Sequence, residues 1–432
     1  MTAASPPVNR RRLGSLGWPI GFTLAVILIF IFYRYWLPDS VDSVQKFVAD
    51  WFPPAVINQC VIWVIMAIGL NVVVGYAGLL DLGYVAFWAI GTYVGAWLMS
   101  GWFFQVHWHI GGPPTLNKAP GIHISFWLVV IFAGAFCALW GVIIGAPTLR
   151  LRSDYLAIVT LGFGEIIPQV FANGDSEHLG FALTNGQQSI VPIDGIGTGP
   201  FSQLKGVNPQ LGVFDLPYRF IVFCLVAAFC VFVSLRLRRG RLGRAWLAIR
   251  EDELAASMMG VSLVRAKLSS YAVGAFFGGM GGVCYAVAVG GASPNFSFSN
   301  SITILMMVVL GGMGNVWGVI IGALLVSWVN LNGLSQFGSW YNGQFNTNID
   351  FPSYNFLIFG IILVLMMLFR REGLLPESRT RLIMREPSRT EMEDLGANIE
   401  AAEEEDEVIL EEESEDELVG TETTGRSDGG AS

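Results

Sequence analysis

Charge is what this sequence has least of. Only 14% of its 432 residues are Asp, Glu, Lys or Arg, where ordinary globular domains carry roughly 25%; so thin a charged surface excludes a soluble domain or a nucleic-acid binder. Histidine is rarer still, with four residues. Two of them, His107 and His109 in "QVHWHIGG", have no further ligand types close by, so a metal centre does not follow. The five cysteines (Cys60, Cys137, Cys224, Cys230, Cys284) all fall in apolar runs, which implies packing rather than a disulfide framework. There is no G-x-x-x-x-G-K-[ST] phosphate loop, so nucleotide is not bound by that device. Nor is there a clustered nucleophile or acid–base set of the kind an enzyme site needs.

Apolar residues fill the space instead, at 53% of the chain with a mean hydropathy of +0.55. A helix rising 1.5 Å per residue needs roughly 20 apolar residues to cross a bilayer. The runs predict an all-α, polytopic membrane protein with about eight full spans, near 18–37, 55–75, 79–100, 124–146, 155–172, 217–235, 268–290 and 354–369. Residues 302–329 are too long for one simple crossing and are interrupted by "GGMGN". The apolar run near the N-terminus is too long for a cleaved signal and reads as a first span.

Lys and Arg set the orientation, since short basic loops stay cytoplasmic. Arg10 to Arg12, Arg150 and Arg152, the cluster in 236–267 and the arginines after 369 fall on one side only if 302–329 enters the membrane and returns as two half-helices. A re-entrant hairpin around Gly311, Gly312, Gly314 and Asn315 is therefore expected, of the kind tolerated where backbone is buried or lines a watery cavity. Both termini then lie in the cytoplasm. The expected organisation is a short N-terminal segment (1–17), a transmembrane domain (18–375) with a cytoplasmic loop at 236–267 and an external loop at 173–216, and a tail (376–432). Residues 391–432 hold 17 acidic residues against Arg426 alone, so the tail repels itself and is expected to be disordered.

Glycine is abundant, at 51 residues, and its placement is regular. Gly91/Gly95, Gly141/Gly145, Gly274/Gly278, Gly278/Gly282, Gly314/Gly318 and Gly318/Gly322 are each four apart within apolar runs, a spacing that lets helices approach closely in a membrane. Three polar residues stand out against this background. Glu165 lies about 15 Å past Tyr155 at the helical rise, near the midplane, with Pro168 following. Intramembrane charge is costly, and two roles are open to it: a packing hydrogen bond, or a place on a transport path. Asn71 and Asp81 flank the turn at Gly75 to Gly78, and for Asp81 a helix-start role and a functional one are both open.

The segment 236–267 is the least membrane-like. After its arginines comes a short helix over 250–260: Arg250, then Glu251, Asp252 and Glu253 in the first turn, where acids complement the dipole. Leu254 and Met258, with Ala255 and Met259, give an apolar stripe, and Ala256 lies between them. Gly260 ends it. Such a helix is too short to stand alone. Its acidic polar face suits a protein partner better than anionic lipid.

Five ordered stretches carry a resemblance: "GLNVVVGYAGLLDLGYVAFWAIGTYVGAWL", "LRLRSDYLAIVTLGFGEI", "GRAWLAIREDELAASMMGVSLVRAKLSSYAVGAFFGGMGGVCYA", "VVLGGMGNVWGVIIGALL" and "LIFGIILVLMMLFRREGLLP". Together they resemble the permease subunit of high-affinity branched-chain amino acid ABC importers over about residues 55–376. "AASMMG" is similar to the end of the E-A-A…G loop of such permeases, with Leu254 where that loop has Glu. "TNGQQSI" (Thr184 to Ile190) departs from the T-G-G-P-N-G-like stretch often found there. The resemblance implies a non-enzymatic transport subunit in a bacterial cytoplasmic membrane, with no cofactor of its own. ATP and Mg would sit on two separate cassette subunits, a second homologous permease would complete the path, an extracytoplasmic binding protein would deliver substrate, and 250–260 would couple to the ATPase. Permeases for urea and other amino acids are similar, and an ion-coupled secondary transporter using Glu165 or Asp81 is the alternative from another class.

Overall fold

In the computed structural model the central element is the helix with the most glycine. The structure describes residues 11–36, 42–104, 106–110, 120–148, 153–175, 182–196, 216–345, 348–370 and 373–375. The acidic tail, Arg150, Arg152 and most of the 173–216 loop lie outside the described residues.

Helix α1 is Arg11–Ile31, continued by a wide turn over Phe32–Trp36, and α2 is the short Asp42–Trp51. Helix α3 (Pro54–Leu70) runs into a second wide turn, Asn71–Tyr76. Next come α4 (Val85–Leu98), α5 (Phe126–Thr148), α6 (Ser153–Ala172) and α7 (Leu216–Arg239). Two short helices follow, α8 (Arg241–Glu251) and α9 (Glu253–Met258), and then α10 (Leu263–Val289). The chain closes with α11 (Phe298–Gly311), α12 (Val316–Trp328), a wide turn at Val329–Gly333, α13 (Leu334–Phe345) and α14 (Asn355–Phe369).

Helix α10 packs against α3, α4 and α5 at once. "GAFFGGMGG" explains how. A Cβ on Gly279 would sit 2.6 Å from the Ala133 carbonyl oxygen on α5, and one on Gly282 2.6 Å from that of Trp88 on α4. Small residues on several faces of one helix thus admit three backbones. Hydroxyls tie the seams: Tyr84 donates to the Gly274 carbonyl at 3.0 Å and Thr92 to that of Gly282 at 3.2 Å. All five cysteines are free and buried in the apolar interior.

Six described helical stretches are long and apolar enough to cross a membrane, and four more apolar helices have 10–17 residues. The protein is thus an α-helical, multi-pass membrane protein, but not with the eight full spans expected. The expected span at 79–100 shrinks to Val85–Leu98 because the chain from Gly78 to Gly83 is irregular. The interrupted segment also differs from a pair of half-helices. Helix α11 is short, about 21 Å at the helical rise, whereas Val316–Phe345 forms one continuous apolar stretch of 30 residues. Its Asn330, Asn332 and Gly333 are absorbed in the wide turn rather than breaking it. Between the two arms Gly312 and Gly314 adopt φ of +113° and +88°, which side chains with a Cβ rarely take.

A three-stranded sheet was not expected. Strands β1 (Met99–Ser100), β2 (His107–Ile110) and β3 (Gly121–Ile124) pair in the order β1-β3-β2, with β2 parallel to β3. Residues 182–196 join it through the Ser100–Ile193 bridge, while Ile190 pairs with Ala292. The buried His123 meets Asp194 at 2.7 Å.

Candidate functional site

The two helices of the 236–267 loop are built differently from the single helix expected over 250–260. Helix α8 runs to Glu251, so this residue ends one helix instead of starting the next. Asp252 is extended, and its carboxylate accepts from the Leu254 and Ala255 amides at 2.7 and 3.0 Å. It is the N-cap of α9, leaving Glu253 alone in the first turn. Counting acids located the right dipole end but not the boundary. Gly260 follows at φ +81° and terminates the helix, with the Val261 amide reaching back to the Ala256 carbonyl at 3.1 Å.

Helix α9 presents its apolar stripe outward. Leu254 is 69% exposed, Met258 78% and Met259 85%; Ala255 is exposed too, and only Ala256 turns in. On the inner side Glu253 pairs with Lys267 at 2.6 Å, a lysine buried at the start of α10.

Helix α8 supplies the anchorage. Gly243, Trp246 and Ile249 form its buried face. The Trp246 indole donates to the Ala266 carbonyl and the Ser269 hydroxyl, both at 2.9 Å, and its ring stacks on Tyr76 with centroids 6.5 Å apart and 10° between planes. Arg238, at the end of α7, lies over the other partner in this stack, 5.6 Å from the Tyr76 ring, within cation–π range. Sequence reasoning missed Trp246, Tyr76 and Lys267. The three-residue recurrence of Gly243, Trp246 and Ile249 is the signal that identifies the face. Trp246→Phe, which keeps the ring and removes both hydrogen bonds, is expected to weaken the docking of α8 by about 1–3 kcal/mol. Faster amide exchange confined to α8 and α9 would show it.

Arg250 links this platform to the membrane residues. Its guanidinium donates to the Gly75 carbonyl, and Gly78 packs on its stem. Burial lowers its pKa from the ordinary value; the Arg238 charge adds to the effect and Glu251 opposes it. From Gly75 the wide turn leads to Asn71, fully buried, whose Oδ1 accepts from the Gly314 amide at 2.9 Å. Asn315 caps α12 through the Trp317 amide and donates to the Leu375 carbonyl at 3.0 Å. Gly311 faces Gly318 across the two arms, with its carbonyl accepting from the Leu375 amide at 3.2 Å. Gly312 packs against Gly373. The structure therefore brings together Arg250, Asn71 and the glycine turn, residues far apart in sequence.

Asp81 and Glu165 stand apart from that chain. Asp81 is buried, and its Oδ1 accepts from the Gly83 amide at 2.9 Å just ahead of α4, as an Asx turn does. Glu165 is exposed, and its Oε1 accepts from the Phe298 amide at 3.2 Å, at the first turn of α11. Among the described residues no three His, Cys, Asp or Glu side chains converge as metal ligands.

Bundle and platform together define a class: an α-helical multi-pass membrane protein with an exposed apolar helix fastened to the end of its bundle. The model of the family described as "Branched-chain amino acid transport system / permease component" matches residues 53–367. The high-affinity branched-chain amino acid transport system permease protein LivM of Escherichia coli strain K12 is 38% identical over 335 residues, 74% of this chain and 69% of its own length. The protein of the same name from Salmonella typhimurium strain LT2 is 38% identical over 344 residues, 75% and 70% of the two chains. A second permease protein from that strain, LivH, is 24% identical over 268 residues, 61% and 79%. No solved structure matches the chain. The chain belongs to the permease-component family of branched-chain amino acid transport systems.

Proposed function

We propose that this chain moves branched-chain amino acids into the cytoplasm as one of two related permease subunits of an ABC importer. ATP and Mg are held by two separate cassette subunits, and an extracytoplasmic binding protein delivers the substrate. The chain lies in a bacterial cytoplasmic membrane with both termini inside and its tail in the cytosol.

One observation carries the mechanism: Arg250 joins the exposed α8–α9 platform to the turn that holds Gly314. Helix α9 sits in a cleft of the ATPase through Leu254, Met258 and Met259, with Glu251, Asp252 and Glu253 at its polar edge. When the ATPase pair closes, the movement of α9 passes to α10 through Lys267. It passes to the Asn71 turn through Arg250, and from there to the α11–α12 turn at Gly311, Gly312, Gly314 and Asn315. A rigid, hydrogen-bonded chain transmits displacement because packed elements rearrange between discrete states rather than deforming smoothly.

Arg250→Gln is the test. It keeps the helix but removes a charge-assisted hydrogen bond of about 1.5–3 kcal/mol. In proteoliposomes holding the full complex, ATP hydrolysis and subunit assembly are expected to persist while leucine uptake per ATP falls about tenfold or more. Unchanged uptake per ATP would refute transmission through this contact. Uptake by the purified chain alone, without ATPase, would refute the whole reading.

A further inference from the structure

We infer that the face of the bundle bearing Glu165 is the seam with the second permease subunit; the inference rests on the importer reading above.

Depth comes first. Helix α4 rises about 20 Å from Val85 to Leu98, and its first amide, that of Val85, is bonded to the Ser301 hydroxyl at 3.0 Å. Ser301 is one turn into α11, so Phe298 and its partner Glu165 lie roughly 15 Å below the Leu98 end. From α6 the same level follows: Glu165 is about 18 Å along that helix from Ser153. Glu165 is therefore within the hydrocarbon region of a bilayer about 30 Å thick.

At that depth the face carries what lipid does not accept. Glu165 and Gln169, one turn apart on α6, are both exposed. Beside them the chain from Gly290 to Ser297 descends without helical structure from the end of α10 to the start of α11, exposing Asn295 and Ser297. Irregular backbone at membrane depth persists only where protein or a watery cavity covers it, and a carboxylate facing acyl chains costs at least about 2.5 kcal/mol. Helix α5 shows what a lipid face looks like on this protein: Leu128, Ile131, Phe132, Leu139 and Ile143 are exposed, all apolar. Around the polar patch α6 also exposes Tyr155, Ile158, Ile166 and Val170, so it is the polar groups at depth that set this face apart from that of α5.

The occupant follows from the family. One Salmonella strain holds two branched-chain permease proteins, LivM and LivH, that are both similar to this chain. A related second subunit closes the seam by pairing its own α6 region with this one, leaving the carboxylate at a protein–protein boundary.

Photo-crosslinking distinguishes seam from lipid. A benzophenone amino acid is placed at Gln169, or at Ile158, in the full complex, with Leu139 on α5 as the reference position. The complex is captured through a tag on the ATPase subunit before irradiation. Gln169 and Ile158 are expected to yield a covalent adduct with the second permease, and Leu139 to yield adducts with lipid alone. Lipid adducts alone at Gln169 and Ile158 in a complex that still contains both permeases would overturn the seam and leave the importer reading intact. Absence of this chain and of a second permease from the material captured on the ATPase would overturn both.

Discussion

Leu254→Asp combined with Met258→Asp is expected to strip the ATPase subunits from the complex while leaving the transmembrane bundle folded. Both side chains stand clear of the molecule, at 69% and 78% exposure, and exposed substitutions of this kind usually change stability by no more than about 0.5 kcal/mol. Their contribution therefore lies in the partner. An interface hot spot costs at least about 2 kcal/mol when truncated, roughly 30-fold in affinity, and two anchors replaced by carboxylates also desolvate charge in the same cleft. Co-purification of tagged ATPase should fall to background, and uptake with it, while the thermal unfolding midpoint of the permease stays where it was. Gly260→Glu is a second route to the same loss. Nothing lies within 4 Å of a Cβ there, but φ is +81°, so the new residue strains the turn that ends α9. Normal co-purification from both variants would remove α9 from the coupling.

How much of this was legible in the sequence depends on the residue. The family was carried by five ordered motifs, and the break at "GGMGN" by the glycines themselves, because glycine is the residue that takes positive φ without steric cost, as Gly312 and Gly314 do. The α9 terminator was readable at Gly260 for the same reason. Asp252 was not: an N-cap and a first-turn acid differ only in backbone angle, and three consecutive acids offer no way to choose. The small sheet escaped because its strands have two to four residues and pair across long gaps in sequence. Glu165 was legible as a charge at depth but not as an exposed one, since exposure is set by which face of α6 the neighbours leave open. Arg250 reads locally as the start of the 250–260 helix, whereas it lies in the last turn of α8. Its bond to Gly75 spans 175 positions and has no local signature.

Gly279→Val should do the opposite of the α9 substitutions and destroy the bundle itself. A Cβ at this position would meet the Ala133 carbonyl oxygen at 2.6 Å and the Cys137 sulfur at 2.7 Å. On the neighbouring face the Gly279 backbone already lies against Gly91 of α4, so α10 has no slack to retreat into. Ordinary overpacking costs about 1–3 kcal/mol because flexible side chains move aside. Here the obstacle is a helix backbone, and relief requires α5 and α4 to separate from α10 together. That separation also pulls Thr92 from the Gly282 carbonyl and Tyr84 from that of Gly274, stranding polar groups in an apolar interior. Marginally stable proteins do not absorb several such losses at once. The folded fraction in detergent, read by size-exclusion of a fluorescent fusion, should drop severalfold for Gly279→Val and less for Gly279→Ala. Gly162→Ala, where nothing lies within 4 Å, should behave as the parent does. Equal yields for all three would mean that glycine spacing in α10 does not set the approach of its neighbours.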